Sequence, residues 1–163
     1  MNAIKNKQIL VTGGTGFLGS YLLRYLVREG YTRVRALRRA TSKMDLVTEV
    51  ADQIEWVEGD VLDIFALEDA MQEVQLVYHC AAVVSFDSRD YDQMRQVNVE
   101  GTANVVNAAL AAGIEKLVHV SSIAAIGRVK NQPIVNEQTK WERSNHNSEY
   151  AISKYLSENE VWR

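Results

Sequence analysis

The sequence predicts an α/β fold, a doubly wound parallel sheet with helices on both faces, and three observations predict it. Short β-branched apolar runs alternate with segments of helical periodicity, the pattern of right-handed βαβ units. The first run enters a glycine-rich turn that opens directly onto an apolar-periodic segment. A tyrosine and a lysine then stand four residues apart near the C-terminal end, where i and i+4 share one helix face.

The elements follow in order. Gln8-Ile9-Leu10-Val11-Thr12 reads as the first strand and runs into Gly13-Gly14-Thr15-Gly16-Phe17-Leu18-Gly19. The helix after it is expected to face the sheet with Leu18, Leu22, Tyr25 and Leu26, an i, i+4, i+7, i+8 stripe, and to stop near Gly30. In this setting Gly13, Gly16 and Gly19 have separate tasks: turning the chain, letting backbone N–H groups approach a pyrophosphate, and packing helix on strand. The anion would sit at the positive end of the helix dipole. A bare three-glycine pattern also fits a flexible βα turn. Its place after the first strand makes it the turn of a Rossmann-type unit and predicts dinucleotide binding. Residues 33–37, 54–58, 76–79 and 116–121 read as four further strands. Helices are expected near 43–52, 65–73 and 91–112, the last with Val99, Ala103, Val106 and Leu110 on one face and Gly113 at its end. The long irregular segment 127–148 holds the single proline, Pro133, and loops of that length in compact domains are often functional.

Length and composition bound the rest. With 163 residues, 47% apolar and 24% charged, the chain is long enough for one domain with a real core. A net charge of −3 without a basic stripe gives no reason to expect nucleic acid. Arg35, Arg38 and Arg39 form the single tight basic cluster. The charged start passes straight into a short strand, so neither a signal peptide nor a membrane span is read there. One cysteine, Cys80, allows no internal disulfide, and a cytoplasmic location is expected. His79 has no Cys, His, Asp or Glu partners at metal-ligand spacing, so no metal is predicted.

The chemistry points to Tyr150-Ala151-Ile152-Ser153-Lys154. If Tyr150 and Lys154 share a helix face, the ammonium favours the phenolate, and such a tyrosine can exchange a proton with a substrate oxygen. The bland alternative is a solvated surface pair.

Taken in order, these residues resemble the extended short-chain dehydrogenase/reductase family, which includes nucleotide-sugar epimerases and dihydroflavonol or hydroxysteroid reductases. Thr12-Gly13-Gly14-Thr15-Gly16-Phe17-Leu18-Gly19 is similar to its Thr-Gly-x-x-Gly-x-x-Gly turn, so Gly13, Thr15, Gly16, Phe17, Leu18 and Gly19 are implied cofactor contacts. Gly59-Asp60-Val61 resembles the family's aspartate after the third strand, which accepts from the adenine amino group; Asp60 could equally serve a turn or a helix cap. Ala81 and Ala82 match the small residues beside the cofactor. Asn98 matches the asparagine of the proton relay. Val120-Ser121-Ser122-Ile123-Ala124-Ala125-Ile126-Gly127 resembles the active-site strand end, with Ser122 as the catalytic hydroxyl and Ser121 as the fallback. The resemblance implies that Ser122 binds the substrate oxygen, Tyr150 is the acid or base, and Lys154 holds the nicotinamide ribose and lowers the Tyr150 pKa.

An acidic residue at the end of the second strand would select NAD. Leu37-Arg38-Arg39 stands there instead, and an arginine fork suits the 2′-phosphate of NADP. NADP is therefore favoured over NAD, with Arg39 the first candidate and Arg38 the second. The sugar dehydratases of the family have acidic residues beside the catalytic hydroxyl, whereas Ile123 and Ala124 follow Ser122 here. Glu137-Gln138-Thr139-Lys140-Trp141 is shared with the flavonol-type reductases. The expectation is a carbonyl reductase or alcohol dehydrogenase on a small-molecule, hydrophobic substrate. The alternatives are a nucleotide-sugar epimerase with retained NAD and a non-catalytic dinucleotide sensor. Family members run to roughly twice this length, so residues 1–163 are expected to be an incomplete NAD(P)-binding Rossmann domain, truncated before its last strands and lacking the C-terminal substrate-binding part. The family also implies a homodimer, with no nucleic-acid or membrane partner.

Overall fold

The computed structural model describes residues 5–128 and 134–163; Pro133 lies outside them. The chain divides into two compact units, Met1–Ala81 with Asn104–Val120, and Ala82–Ala103 with Ser121–Arg163.

The first unit is built on a five-stranded parallel sheet in the order β3-β2-β1-β4-β5. Its strands are β1 Ile9–Thr12, β2 Val34–Arg38, β3 Glu55–Glu58, β4 Leu76–His79 and β5 Lys116–His119. The central strand β1 is flanked on both edges and covered on both faces, so Ile9, Leu10 and Val11 are each 0% exposed. The edge strands β3 and β5 begin with Glu55 and Lys116, both exposed. In register, Thr12 pairs with His79 and His79 with His119, so three strands end in one row. Side chains beyond that row stand at the carboxyl edge of a parallel sheet, where ligands of such folds bind.

Helix α1, Phe17–Arg28, packs on one face of the sheet, where Leu23 and Leu26 join Ile9, Val11, Val34 and Ala36 in the core. The expected stripe is rotated: Gly19, Ser20, Leu23 and Leu26 are buried, while Leu18 and Tyr25 are half-exposed. Leu26 is in the core and Leu22 packs against it, as expected; Leu18 and Tyr25 turn outward because the helix approaches the turn through its small residues. On the other face, helix α2, Ile64–Ala70, is capped by Asp63, whose carboxylate accepts from the Ala66 N–H at 3.1 Å. The helix expected over 43–52 is instead a 3₁₀ turn at Thr48–Gln53. Val47 and Val50, both buried, sit three apart as 3₁₀ geometry requires, and the β-branched run Val47, Thr48, Val50 disfavours a longer α-helix.

A helical stretch follows the fourth strand: α3 Tyr91–Met94, a π turn Arg95–Glu100, and α4 Gly101–Ala111. The π turn breaks the register that a single 3.6-residue period assumes. Of the predicted face, Val106 is buried, but Val99 and Ala103 are only partly so and Leu110 is 75% exposed. The buried positions are Met94, Asn98, Gly101, Thr102, Val105, Val106, Ala108 and Ala109. The second unit contains this stretch up to Ala103, a short 3₁₀ turn at Ile123–Ile126, and helix α5, Glu149–Trp162, capped by the Ser148 hydroxyl on the Ala151 N–H. Among the described residues no helix is long and apolar enough to cross a membrane.

Candidate active site

In the first unit the glycine turn is closed by steric necessity. Gly13 has φ +68°, and a Cβ there would lie 2.6 Å from the Ala81 nitrogen. A Cβ on Gly19 would lie 2.1 Å from the Gly13 carbonyl oxygen, so helix and turn meet backbone to backbone. The Gly16 N–H donates to that same carbonyl at 3.0 Å, and Gly16 caps α1 with no side chain over the helix end. Thr12 closes the other side, its Oγ1 2.7 Å from His79 Nδ1 and accepting from the Ala81 N–H at 3.3 Å. This is a cradle that only small residues permit, with Thr15 half-buried and Phe17 and Leu18 open to solvent. It fits an anion approached by backbone N–H groups at a helix N-terminus.

Arg38 ends β2 and Arg39 follows it. Arg38 pairs loosely with Glu58 at 3.9 Å, and Arg39, 59% exposed, with Asp60 at 4.0 Å. Arg35, the third member of the basic cluster, is separate: an odd offset along a strand reverses the face. It donates to the carbonyls of Ala70 and Gln72 and pairs with Glu55 at 2.8 Å. Asp60 Oδ1 accepts from the Leu62 N–H at 3.0 Å, the turn role that the sequence left open. Val61 is buried, and its carbonyl accepts from Asn104. Among the described residues no group of three His, Cys, Asp or Glu side chains is placed to hold a metal.

In the second unit Tyr150 and Lys154 lie one turn apart on α5. Lys154 is 1% exposed, and burial pushes its ammonium down to about 8 against the opposing charge of Glu158. Tyr150 is half-buried and meets the edge of Phe86 at 6.2 Å between ring centroids. The two serines are distinct. Ser121 donates its proton to Glu158, whereas Ser122 Oγ accepts from the Ala124 N–H at 3.2 Å, which leaves its own proton for another acceptor.

Asn98 is 1% exposed within the π turn. Its Oδ1 accepts from the Val83 N–H at 2.7 Å, and its Nδ2 donates to the Val83 carbonyl at 2.9 Å and to Ser153 Oγ at 3.0 Å. Ser153 in turn donates to the Tyr150 carbonyl at 2.8 Å. Trp141 stacks on Tyr155 at 4.1 Å and 5°, and its ring lies against Gly127. Ala82 is exposed at the start of this unit. Sequence reasoning missed Ser153, Glu158 and Phe86; the i+3 and i+8 spacing of the first two from Tyr150 was their available signal.

Residues 9–163 match the NAD dependent epimerase/dehydratase family. The chain belongs to this family. The extended short-chain dehydrogenase/reductase resemblance carried by the motifs is thereby borne out, as is the parallel Rossmann-type sheet. A family member from Synechocystis sp., provisionally named a dihydroflavonol 4-reductase, is 40% identical over 93% of this chain and 43% of its own length. The 3 beta-hydroxysteroid dehydrogenase type 7 of Rattus norvegicus is 35% identical over 91% of this chain and 46% of its own. The family structure of DesIV, a dTDP-glucose 4,6-dehydratase from Streptomyces venezuelae with NAD and TYD bound, matches with TM-score 0.83 and 29% identity, over 94% of this chain and 50% of that one. The chain spans about half the length of the family relatives it matches.

Proposed function

We propose that the intact protein is an NAD(P)-dependent oxidoreductase of the extended short-chain dehydrogenase/reductase type, acting on the carbonyl or alcohol carbon of a hydrophobic small molecule. The observation that carries this reading is the burial of Lys154 one turn from Tyr150: a lysine 1% exposed is not half of a solvated surface pair. A bound nicotinamide dinucleotide supplies the hydride. Tyr150 passes a proton to or from the substrate oxygen, Ser122 donates a hydrogen bond to that oxygen, and Lys154 holds the nicotinamide ribose. Asn98, with both ends of its amide engaged, acts in the relay by fixing the backbone around it. Gly13, Thr15, Gly16, Phe17, Leu18 and Gly19 receive the pyrophosphate, Asp60 and Val61 the adenine, and Ala81 and Ala82 leave room for the ribose. Support for an apolar substrate comes from Phe86, 84% exposed against Tyr150, and Ile123, 89% exposed beside Ser122.

NADP is favoured because Arg39 is held only by a long surface pair, worth about 0–1 kcal/mol, which a phosphate can displace. The runner-up is a nucleotide-sugar epimerase with retained NAD, which the NAD bound to DesIV supports. A dinucleotide sensor needs no Ser122, Tyr150 and Lys154, and ranks third. The enzyme is proposed to be cytoplasmic and homodimeric, without nucleic-acid or membrane partners. Titration calorimetry of the chain with NADP and with NAD, repeated on Arg39→Ala, tests the cofactor assignment. The expected result is tighter NADP binding that the substitution weakens about tenfold or more, the worth of one charge-assisted bond. A preference for NAD that Arg39→Ala leaves untouched would move the reading to the epimerase.

A further inference from the structure

We propose that Glu158 is a positioning residue of this site, fixing the segment that carries Ser122 to the helix that carries Tyr150 and Lys154. Its carboxylate accepts the proton of Ser121, the residue before Ser122. The 3₁₀ turn that Ser122 caps, Ile123–Ile126, packs directly on α5. Glu158 stands one helical turn beyond Lys154, as Tyr150 stands one turn before it, so the lysine lies between the acid–base tyrosine and a carboxylate along one line of the helix.

One carboxylate thereby does two things. By holding the Ser121 proton it removes that hydroxyl as a competing donor and leaves Ser122 to face the substrate oxygen. By placing a negative charge near a buried ammonium it opposes the desolvation that drives Lys154 toward its neutral form. Among the described residues Glu158 is the charge that acts on Lys154. The 3₁₀ segment Ile-Ala-Ala-Ile is uncharged, and on the stretch packed against α5 the side chains of Asp92, Arg95 and Glu100 are exposed. On α5 itself Glu149 stands in the first turn, on the far side of Tyr150 from Lys154 in the chain, and Glu160 pairs with Arg163 at 2.6 Å.

The word site rests on the function proposed above, but the readout here is the titration of Lys154 itself, which needs neither turnover nor cofactor. The chain is labelled with ¹³C at lysine Cε, the Lys154 signal is assigned from its loss in Lys154→Met, and its chemical shift is followed with pH. Glu158→Gln is expected to lower the Lys154 midpoint by about half a unit or more. Ser121→Ala, which frees the carboxylate to swing into solvent, is expected to lower it by less, and Glu158→Asp to recover part of the loss. A Glu158→Gln chain that keeps its circular dichroism and titrates like the parent overturns the proposal. Should Glu158→Gln fail to fold, Ser121→Ala decides in the same way, an unchanged midpoint overturning it.

Discussion

Lys154 is where the chemistry of one residue reaches the stability of the chain. Its ammonium is buried, and its pKa falls from the ordinary 10.5 to about 8. The folded state therefore binds this proton less tightly than the unfolded state, and stability rises with pH between about 8 and 10.5. Below that window the desolvation cost is fully present; above it the cost is gone. Lys154→Met is accordingly expected to stabilise the fold at pH 6 by on the order of 2 kcal/mol, with the gain vanishing toward pH 10.5. Urea denaturation at several pH values checks this, and a constant difference across the range would show that folding does not depress the Lys154 pKa. Gly19 makes the opposite case, where adding one methyl group is the perturbation. Gly19→Ala places a carbon 2.1 Å from the Gly13 oxygen, so turn and helix must separate. A loss of about 1–3 kcal/mol is expected, as for overpacked cores, together with loss of dinucleotide affinity in calorimetry.

At the scale of elements, the second unit is organised by polar pins rather than by a large apolar core. Asn98 joins the backbone at Val83 to Ser153 on α5, and the π turn that carries it directs its side chain inward. Asn98→Ala leaves the Val83 N–H and carbonyl and the Ser153 hydroxyl short of partners. A cost of about 1–3 kcal/mol per orphaned group is expected, and Ser153→Ala, which keeps the Val83 bonds, should lose less. Thermal unfolding of the two variants side by side checks the order. Trp141 anchors the described loop residues 134–148 by stacking on Tyr155. Trp141→Ala is expected to remove an ordered near-ultraviolet dichroism band and to speed amide exchange in the loop while α5 stays protected. The Tyr150/Lys154 helix was legible beforehand because i and i+4 are fixed by helix geometry. The helix over 91–111 was legible in extent but not in face, because a π turn carries no signature in residue periodicity.

At the scale of the whole molecule, the chain spans about half the length of its relatives, and Phe86 and Ile123 are mostly exposed. Affinity for a small substrate comes from burying most of its surface. With Phe86 and Ile123 open to solvent, these 163 residues are expected to show little or no turnover with hydrophobic ketones and NADPH, followed by absorbance at the nicotinamide band. Measurable turnover by this chain would overturn that expectation.

The alternation of strands and helices, the glycine turn, and the order of Ser122, Tyr150 and Lys154 can be read along the chain, because each depends on local periodicity or fixed spacing. That Gly19 meets Gly13 backbone to backbone, that Arg35 leaves Arg38 and Arg39, and that Ser121 is taken by Glu158 while Ser122 is not, came to light in the folded chain. Those outcomes depend on which residues distant in the chain come within hydrogen-bonding or contact distance. Spacing along a single element does not carry that information.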